Sequence, residues 1–149
     1  MEMNQPIEIH RVTAEIVRPL RHQVLRPHQT LAECVWAGDS VPSSAHFAAL
    51  YKNQVIGVAS ISIDPRPNDP PNSWRLRGMA TEADQRRIGI GTRVLDACIA
   101  HARAEGGAML WCNARTSAVE FYRKQGFETV GGEFEVQGVG PHYVMARTL

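Results

Sequence analysis

The stretch Arg86-Arg87-Ile88-Gly89-Ile90-Gly91-Thr92 constrains this chain more than any other. It follows an apolar run from Leu76 to Thr81 that reads as a strand, and it opens an apolar-periodic segment that reads as a helix. Two glycines one residue apart at such a junction let the backbone turn tightly and bring its N–H groups close to a bound group. The positive end of the helix dipole stands behind those amides, and two arginines precede them. The stretch therefore predicts a strand–loop–helix cradle for phosphate.

The bulk numbers limit the partners. A chain of 149 residues, 44% hydrophobic, is expected to form one domain over 1–149 with a core of its own. Sixteen Lys+Arg against fifteen Asp+Glu leave +1, so no global field points to nucleic acid or a membrane surface. The basic residues gather locally at 75–93, beside the glycines. Residues 1–9 carry no signal-peptide core, and no run reaches transmembrane length. Cys34, Cys98 and Cys112 are odd in number with no C-x-x-C spacing, so reduced thiols in a cytoplasm are expected. The six histidines are scattered singly, and no metal is expected.

Residues 7–12 alternate as a strand. Thr13 is placed to cap a helix carrying Ile16, Val17, Leu20, Val24 and Leu25, which Pro19 either kinks or restarts and Pro27 ends. Residues 26–44, rich in Pro, Gly, Asp and Ser, read as loop with room for a short turn. Strands follow at about 45–51 and 55–63 around the turn Lys52-Asn53-Gln54, then a proline-laden loop leads into a strand at 74–81. Beyond the glycines, Val94, Leu95, Cys98, Ile99 and Ala102 mark a buried helix stripe closed by Gly106-Gly107, and 108–112 is a short apolar strand. Ser117-Ala118-Val119-Glu120 reads as a capping box for a helix running to about Gln125. A strand begins at Phe127, and 133–136 with 142–146 form a last antiparallel pair. The order predicts an α/β (α+β) fold: one mixed, mostly antiparallel sheet flanked by helices.

Two common phosphate loops are excluded. A P-loop needs Gly-Lys-Ser/Thr, and no lysine follows Gly91. A dinucleotide fingerprint needs a third glycine where Val94 stands, and three successive strands break its alternation. Arg86-x-x-Gly89-x-Gly91 after a strand resembles the acetyl-coenzyme A pyrophosphate loop of the GNAT superfamily of N-acetyltransferases. Ala118-x-x-Phe121-Tyr122-x-Lys124-x-Gly126-Phe127 resembles that superfamily's second motif, in the right order and at about the right distance. The resemblance is specific over residues 74–148.

It implies the GNAT-like acyl-CoA N-acyltransferase fold, with strands 74–81 and 108–113 splayed to hold the pantetheine arm like an added strand. Acetyl-coenzyme A would then meet Met79, Ala80 and Thr81, the loop Arg86, Arg87, Ile88, Gly89, Ile90, Gly91 and Thr92, and Asn113, Ala118, Phe121 and Tyr122. The Met79 N–H would face the thioester carbonyl, where negative charge develops as an amine attacks. Tyr122 would act as general acid toward the departing thiolate, because a tyrosine pKa near 10 lies close to that of a thiol. Two departures stand out. Arg115 replaces the family's usual asparagine three residues before Ala118, with Asn113 nearby to take over its contact, and Arg87 stands where glycine is common.

The acceptor side is less determined. Base candidates are His142, after the Gly-x-Gly-Pro turn, and Glu135 or Glu133 on the facing strand; some members of the superfamily carry a similar Pro-His. Glu82 and Asp84 are expected on an exposed turn. Arg18, Arg21, His22, Arg26 and His28 read either as a basic pocket wall favouring a carboxylate or phosphate on the acceptor, or as a solvated helix face. Trp36 and Trp74 either wall the pocket or pack in the core. The expected activity is direct transfer of acetyl to an amine of a small molecule or peptide. The rival is an acyl-CoA sensor without turnover. Family resemblance makes a homodimer an expectation as well.

Overall fold

The computed structural model describes residues 6–83 and 89–149. Its strands are β1 (Glu8–Val12), β2 (Ala45–Tyr51), β3 (Gln54–Ile63), β4 (Ser73–Thr81), β5 (Met109–Arg115), β6 (Glu128–Val136) and β7 (Gly140–Thr148). The α-helices are α1 (Ala14–Leu25), α2 (Ile90–Ala104) and α3 (Val119–Lys124). All seven strands form one sheet in the order β1-β2-β3-β4-β5-β7-β6. Only β4 and β5 pair in parallel among the described strands; every other neighbouring pair is antiparallel.

Side-chain alternation sends the two long helices to opposite faces. Phe47, Ala49, Ala59 and Ile61 bury against Val94, Leu95, Cys98 and Ala102 of α2. Their neighbours in sequence, Ala48 and Val58, bury against Val17 and Leu20 of α1. Adjacent strand residues point to opposite faces, so α2 covers one side of the sheet and α1 the other. Each large side chain so buried contributes about 1.5–3 kcal/mol. α1 spans Pro19, which lies on its exposed side.

The loop expected at 26–44 contains two short 3₁₀ turns, Ala32–Cys34 and Ala37–Ser40. Two sequence expectations are corrected. The capping box at Ser117 is not formed: a 3₁₀ turn spans Thr116–Ala118, and α3 begins at Val119 without a side-chain cap. Glu120, whose carboxylate the box required, is held instead by Arg123 at 2.7 Å. Finally, β6 is one strand rather than two. Between the pairs Val130↔Val144 and Phe134↔His142 it carries three residues against one on β7, an irregularity absorbed at Gly131-Gly132.

Candidate active site

The parallel pair supplies the opening. β4 and β5 pair only at Ser73↔Met109, Trp74↔Leu110 and Arg75↔Trp111. Beyond that point the strands part, and a cavity of about 830 Å³ lies between them, lined from β4 by residues 75–81 and from β5 by residues 112–115. A bulge shapes the β4 wall. Val58 pairs with Ala80 and Ser60 with Arg77, so Gly78 and Met79 together oppose Ala59. Gly78 adopts φ +64°, a left-handed conformation that side chains rarely take. The extra residue shifts the alternation: Trp74 and Leu76 face α2, whereas Ala80 faces α1.

A buried polar network backs this bulge. Arg21, fully buried, donates to both Asp39 carboxylate oxygens at 2.8 and 3.0 Å, to the Cys34 carbonyl at 2.9 Å and to Ser60 Oγ at 3.0 Å. Its guanidinium stacks 3.8 Å from the centre of the Trp36 ring, and a Cβ at Gly78 would come within 3.0 Å of its Nε. His46 closes the chain: Nε2 donates to the Asp39 carbonyl (3.2 Å), which leaves Nδ1 to accept from the Ser60 hydroxyl (2.6 Å). The expected solvated or pocket-lining face of α1 is thereby corrected for Arg18 and Arg21, since Arg18 also lies 3.5 Å from Asp39. Of the five basic residues named there, only Arg26 lines the cavity.

Acid should loosen this network. Burial lowers the His46 imidazole below its ordinary value, despite the Asp39 carbonyl and charge. Burial works to raise the Asp39 carboxyl, but hydrogen bonds from Arg21 and the Trp36 N–H outweigh it and hold the carboxyl below the usual range. Both groups bind protons less readily folded than unfolded, so the unfolded chain takes up more protons as pH falls. Their stabilising contributions are present above the unfolded values, about 6.5 and 4, and are lost below them. Thermal midpoints should fall from pH 7 to pH 5 and further toward pH 3. A midpoint that rises on acidification from 7 to 5 would contradict a neutral, buried His46.

On the α2 side of the cavity stand Gly91, Cys112, Ala118, Phe121 and Tyr122. Gly89 takes φ +84° at the N-terminal cap of α2, and a Cβ at Gly91 would lie 3.4 Å from the Phe121 ring. Tyr122 is buried, edge-on to Phe121 and Phe127. Burial pushes its hydroxyl well above the ordinary tyrosine value, with the neighbouring Cys112 and Cys98 adding to the effect, so the phenol keeps its proton. Cys112 is 2% exposed, and burial pushes its thiol up to about 12.

The α1 side holds the rest. Arg115 and His142 are paired across β5 and β7, and both line the cavity. His142 is buried rather than solvated. Its Nδ1 donates to the Gly140 carbonyl at 2.8 Å, so in the neutral ring the free lone pair is on Nε2. Glu135 and Glu133 are exposed on β6 and do not line the cavity; Glu133 accepts from Thr116 instead. Of the named coenzyme residues, Met79, Ala80, Thr81, Gly91, Asn113, Ala118, Phe121 and Tyr122 line the cavity, with Gly89, Ile90 and Thr92 at the adjoining start of α2. Arg86, Arg87 and Ile88 lie outside the described residues, as does Asp84. Trp36 lines the cavity, and Trp74 packs in the core.

Arg75 and Arg77 were missed as cavity residues. Their signal was available: they alternate with the apolar Trp74 and Leu76, which sends both arginines to the other face. Among the described residues no group of His, Cys, Asp or Glu is placed to hold a metal ion, and no helix is long and apolar enough to cross a membrane.

A sheet in this order, parted at its parallel pair beside a glycine-led helix, has the acyl-CoA N-acyltransferase architecture. The chain matches the model of the Acetyltransferase (GNAT) family over residues 9–127 and belongs to that family. It is 34% identical over 145 residues to the uncharacterized N-acetyltransferase YitI of Bacillus subtilis (strain 168), covering 96% of this chain and 97% of that one. Escherichia coli ElaA has the same fold, with a TM-score of 0.78 at 16% identity over 95% of this chain and 99% of ElaA. So has an acetyltransferase of the GNAT family from Streptococcus pneumoniae, with a TM-score of 0.72 at 18% identity over 97% and 99% of the two chains. The chain is thus an acyltransferase that uses acyl-coenzyme A and acts on an acceptor substrate.

Proposed function

We propose that residues 1–149 form one N-acetyltransferase domain that moves acetyl from acetyl-coenzyme A directly to a primary amine. The observation that carries this reading is that Tyr122 and His142 line one cavity from opposite faces of the sheet. A leaving group and an attacking group need proton chemistry on opposite sides of the reacting carbon, which this placement supplies.

The co-substrate brings the activated acetyl thioester. The edge of β4 that faces β5 offers backbone groups of Met79, Ala80 and Thr81 to its arm. Amides of Gly89, Ile90, Gly91 and Thr92 at the start of α2, with Arg86, Arg87 and Ile88, hold its pyrophosphate. The missing Cβ of Gly91 leaves room beside Phe121. Asn113 and Ala118 border the same path. The Met79 N–H stabilises charge developing on the carbonyl oxygen. As the C–N bond forms and the C–S bond breaks, His142 Nε2 takes a proton from the amine, directly or through water, and Tyr122 gives one to the sulfur. Glu135, outside the cavity, is left without a role in this scheme.

The thiol of Cys112 is too basic and too buried to serve as a nucleophile. Cys112→Ala should keep kcat within about threefold of wild type, since no acyl-enzyme forms on it; complete loss in a folded variant would restore the covalent route. Three buried, unpaired cysteines also fit a reducing cytoplasm. The reading as a whole is tested by thiol release from acetyl-coenzyme A against amino acids, polyamines, aminoglycosides and peptides. Release with at least one amine, with stoichiometric N-acetyl product, is expected. Coenzyme binding without release by any amine would make the chain a sensor.

A further inference from the structure

The α1-side wall of the cavity is cationic. Arg26, Arg75, Arg77 and Arg115 all line it, and no Asp or Glu does so among the described residues. Asp64 reaches Arg75 at 3.5 Å and Arg77 at 3.2 Å from outside the lining, one half-exposed carboxylate for two guanidinium groups. Arg26 and Arg115 converge at the end of α1, where both donate to the Leu25 carbonyl, at 3.0 and 2.5 Å. Arg26 is only partly exposed, and its charged form is disfavoured first by burial and then by the Arg115 charge. Two guanidinium groups that converge on one carbonyl present a fork of N–H donors whose geometry suits the oxygens of an oxyacid.

The coenzyme's own phosphates do not account for this wall. Their cradle at Gly89–Thr92 starts α2, and α2 covers the other face of the sheet. The arginines share their face with His142 and Trp36: Arg115 is the cross-strand partner of His142, and Arg26 lies 5.9 Å from the Trp36 ring centre. That is the wall from which the amine would approach.

We propose that the acceptor is an amine that also carries an anionic oxyacid group, carboxylate or phosphate, held by Arg26 and Arg115. Arg75 and Arg77 supply the supporting field, and the amine is directed toward His142. This inference rests on the transfer reading above for its chemistry, though not for the anion site itself. Polycationic acceptors such as polyamines and aminoglycosides are excluded by the same wall, through repulsion from four guanidinium groups.

The test pairs α- and ω-amino acids with their carboxamides, and adds 2-aminoethyl phosphate, spermidine and kanamycin, in the thiol-release assay. The best anionic amine should exceed its uncharged analogue by about 10- to 100-fold in kcat/KM. Whether an amino acid or 2-aminoethyl phosphate ranks first identifies the oxyacid. In Arg26→Gln and Arg115→Gln the preference for anion over uncharged analogue should fall toward one, chiefly through KM. Spermidine, kanamycin or the carboxamides turning over as well as every anionic amine would overturn the proposal. A second measurement separates it from the transfer reading. Calorimetry of N-acetylglycine and N-acetyl-4-aminobutyrate against their carboxamides, with coenzyme A present, should show tighter binding of the acids. Tighter acids without thiol release would leave the anion site standing and remove transfer; equal binding would remove the anion site.

Discussion

Replacing Tyr122 with Phe lowers kcat for acetyl transfer by about 100-fold or more, the range expected for loss of a positioned general acid. The substitution removes one hydroxyl and leaves the ring edge-on to Phe121 and Phe127, so the wall of the cavity keeps its shape. Coenzyme A affinity should therefore stay within about threefold, and stability should change by less than about 1 kcal/mol. Burial raises the phenol well above its ordinary value, so the group standing there is the hydroxyl and not the phenolate. In the proposed transfer this hydroxyl is the group that would give the departing thiolate its proton. Initial rates of thiol release, with coenzyme binding and thermal melts as controls, decide the matter. A Tyr122→Phe enzyme that retains more than about a third of wild-type kcat would mean that the proton comes from elsewhere.

Arg21→Ala is expected to produce the largest loss of stability, about 3–5 kcal/mol, because it strips the partner from a buried carboxylate. Asp39 would be left 8% exposed, with only Arg18 at 3.5 Å to balance it. The Cys34 carbonyl and Ser60 would lose their donors at the same time. The urea midpoint measures this directly. The double variant Arg21→Met/Asp39→Leu should recover a substantial part, since replacing both charges with apolar groups removes the uncompensated carboxylate. A single variant costing less than about 1 kcal/mol would show that water reaches Asp39. The consequences extend to catalysis, because Arg21 and Trp36 both pack against the bulge at Gly78. With that support gone, the Met79 amide loses its fixed direction, and kcat/KM falls even at temperatures where the variant is folded.

Local signals were legible where the causes are local. The β2–β3 hairpin, the buried stripe of α2 and the apolar strand at β5 follow from alternation and helical spacing, and the structure places them within a few residues of the expected bounds. The glycine junction before α2 belongs to the same class, since a left-handed residue at Gly89 needs only its own backbone freedom. Where the pattern failed, another partner had intervened, near in the chain or far from it. Glu120 turned to Arg123 instead of the cap, and the β6 irregularity answers to its pairing with β7. Arg21 reads as one more basic residue on a helix face until Asp39, eighteen residues away, is folded beneath it.

By itself, then, the chain determined its element order, the glycine junction that starts α2, and the motif that holds Tyr122, because each is written in spacing along one segment. Tertiary structure alone decided which charges meet. Arg18 and Arg21 lie against Asp39, while Arg26 and Arg115, 89 positions apart by their numbering, come together at the end of α1, where both donate to the Leu25 carbonyl. That distinction depends on which side of the sheet each residue faces and on the bulge at Gly78 that resets the count. A hydrogen-bonded ion pair forms only between groups brought within about 4 Å in space, so no reading along the chain can supply it.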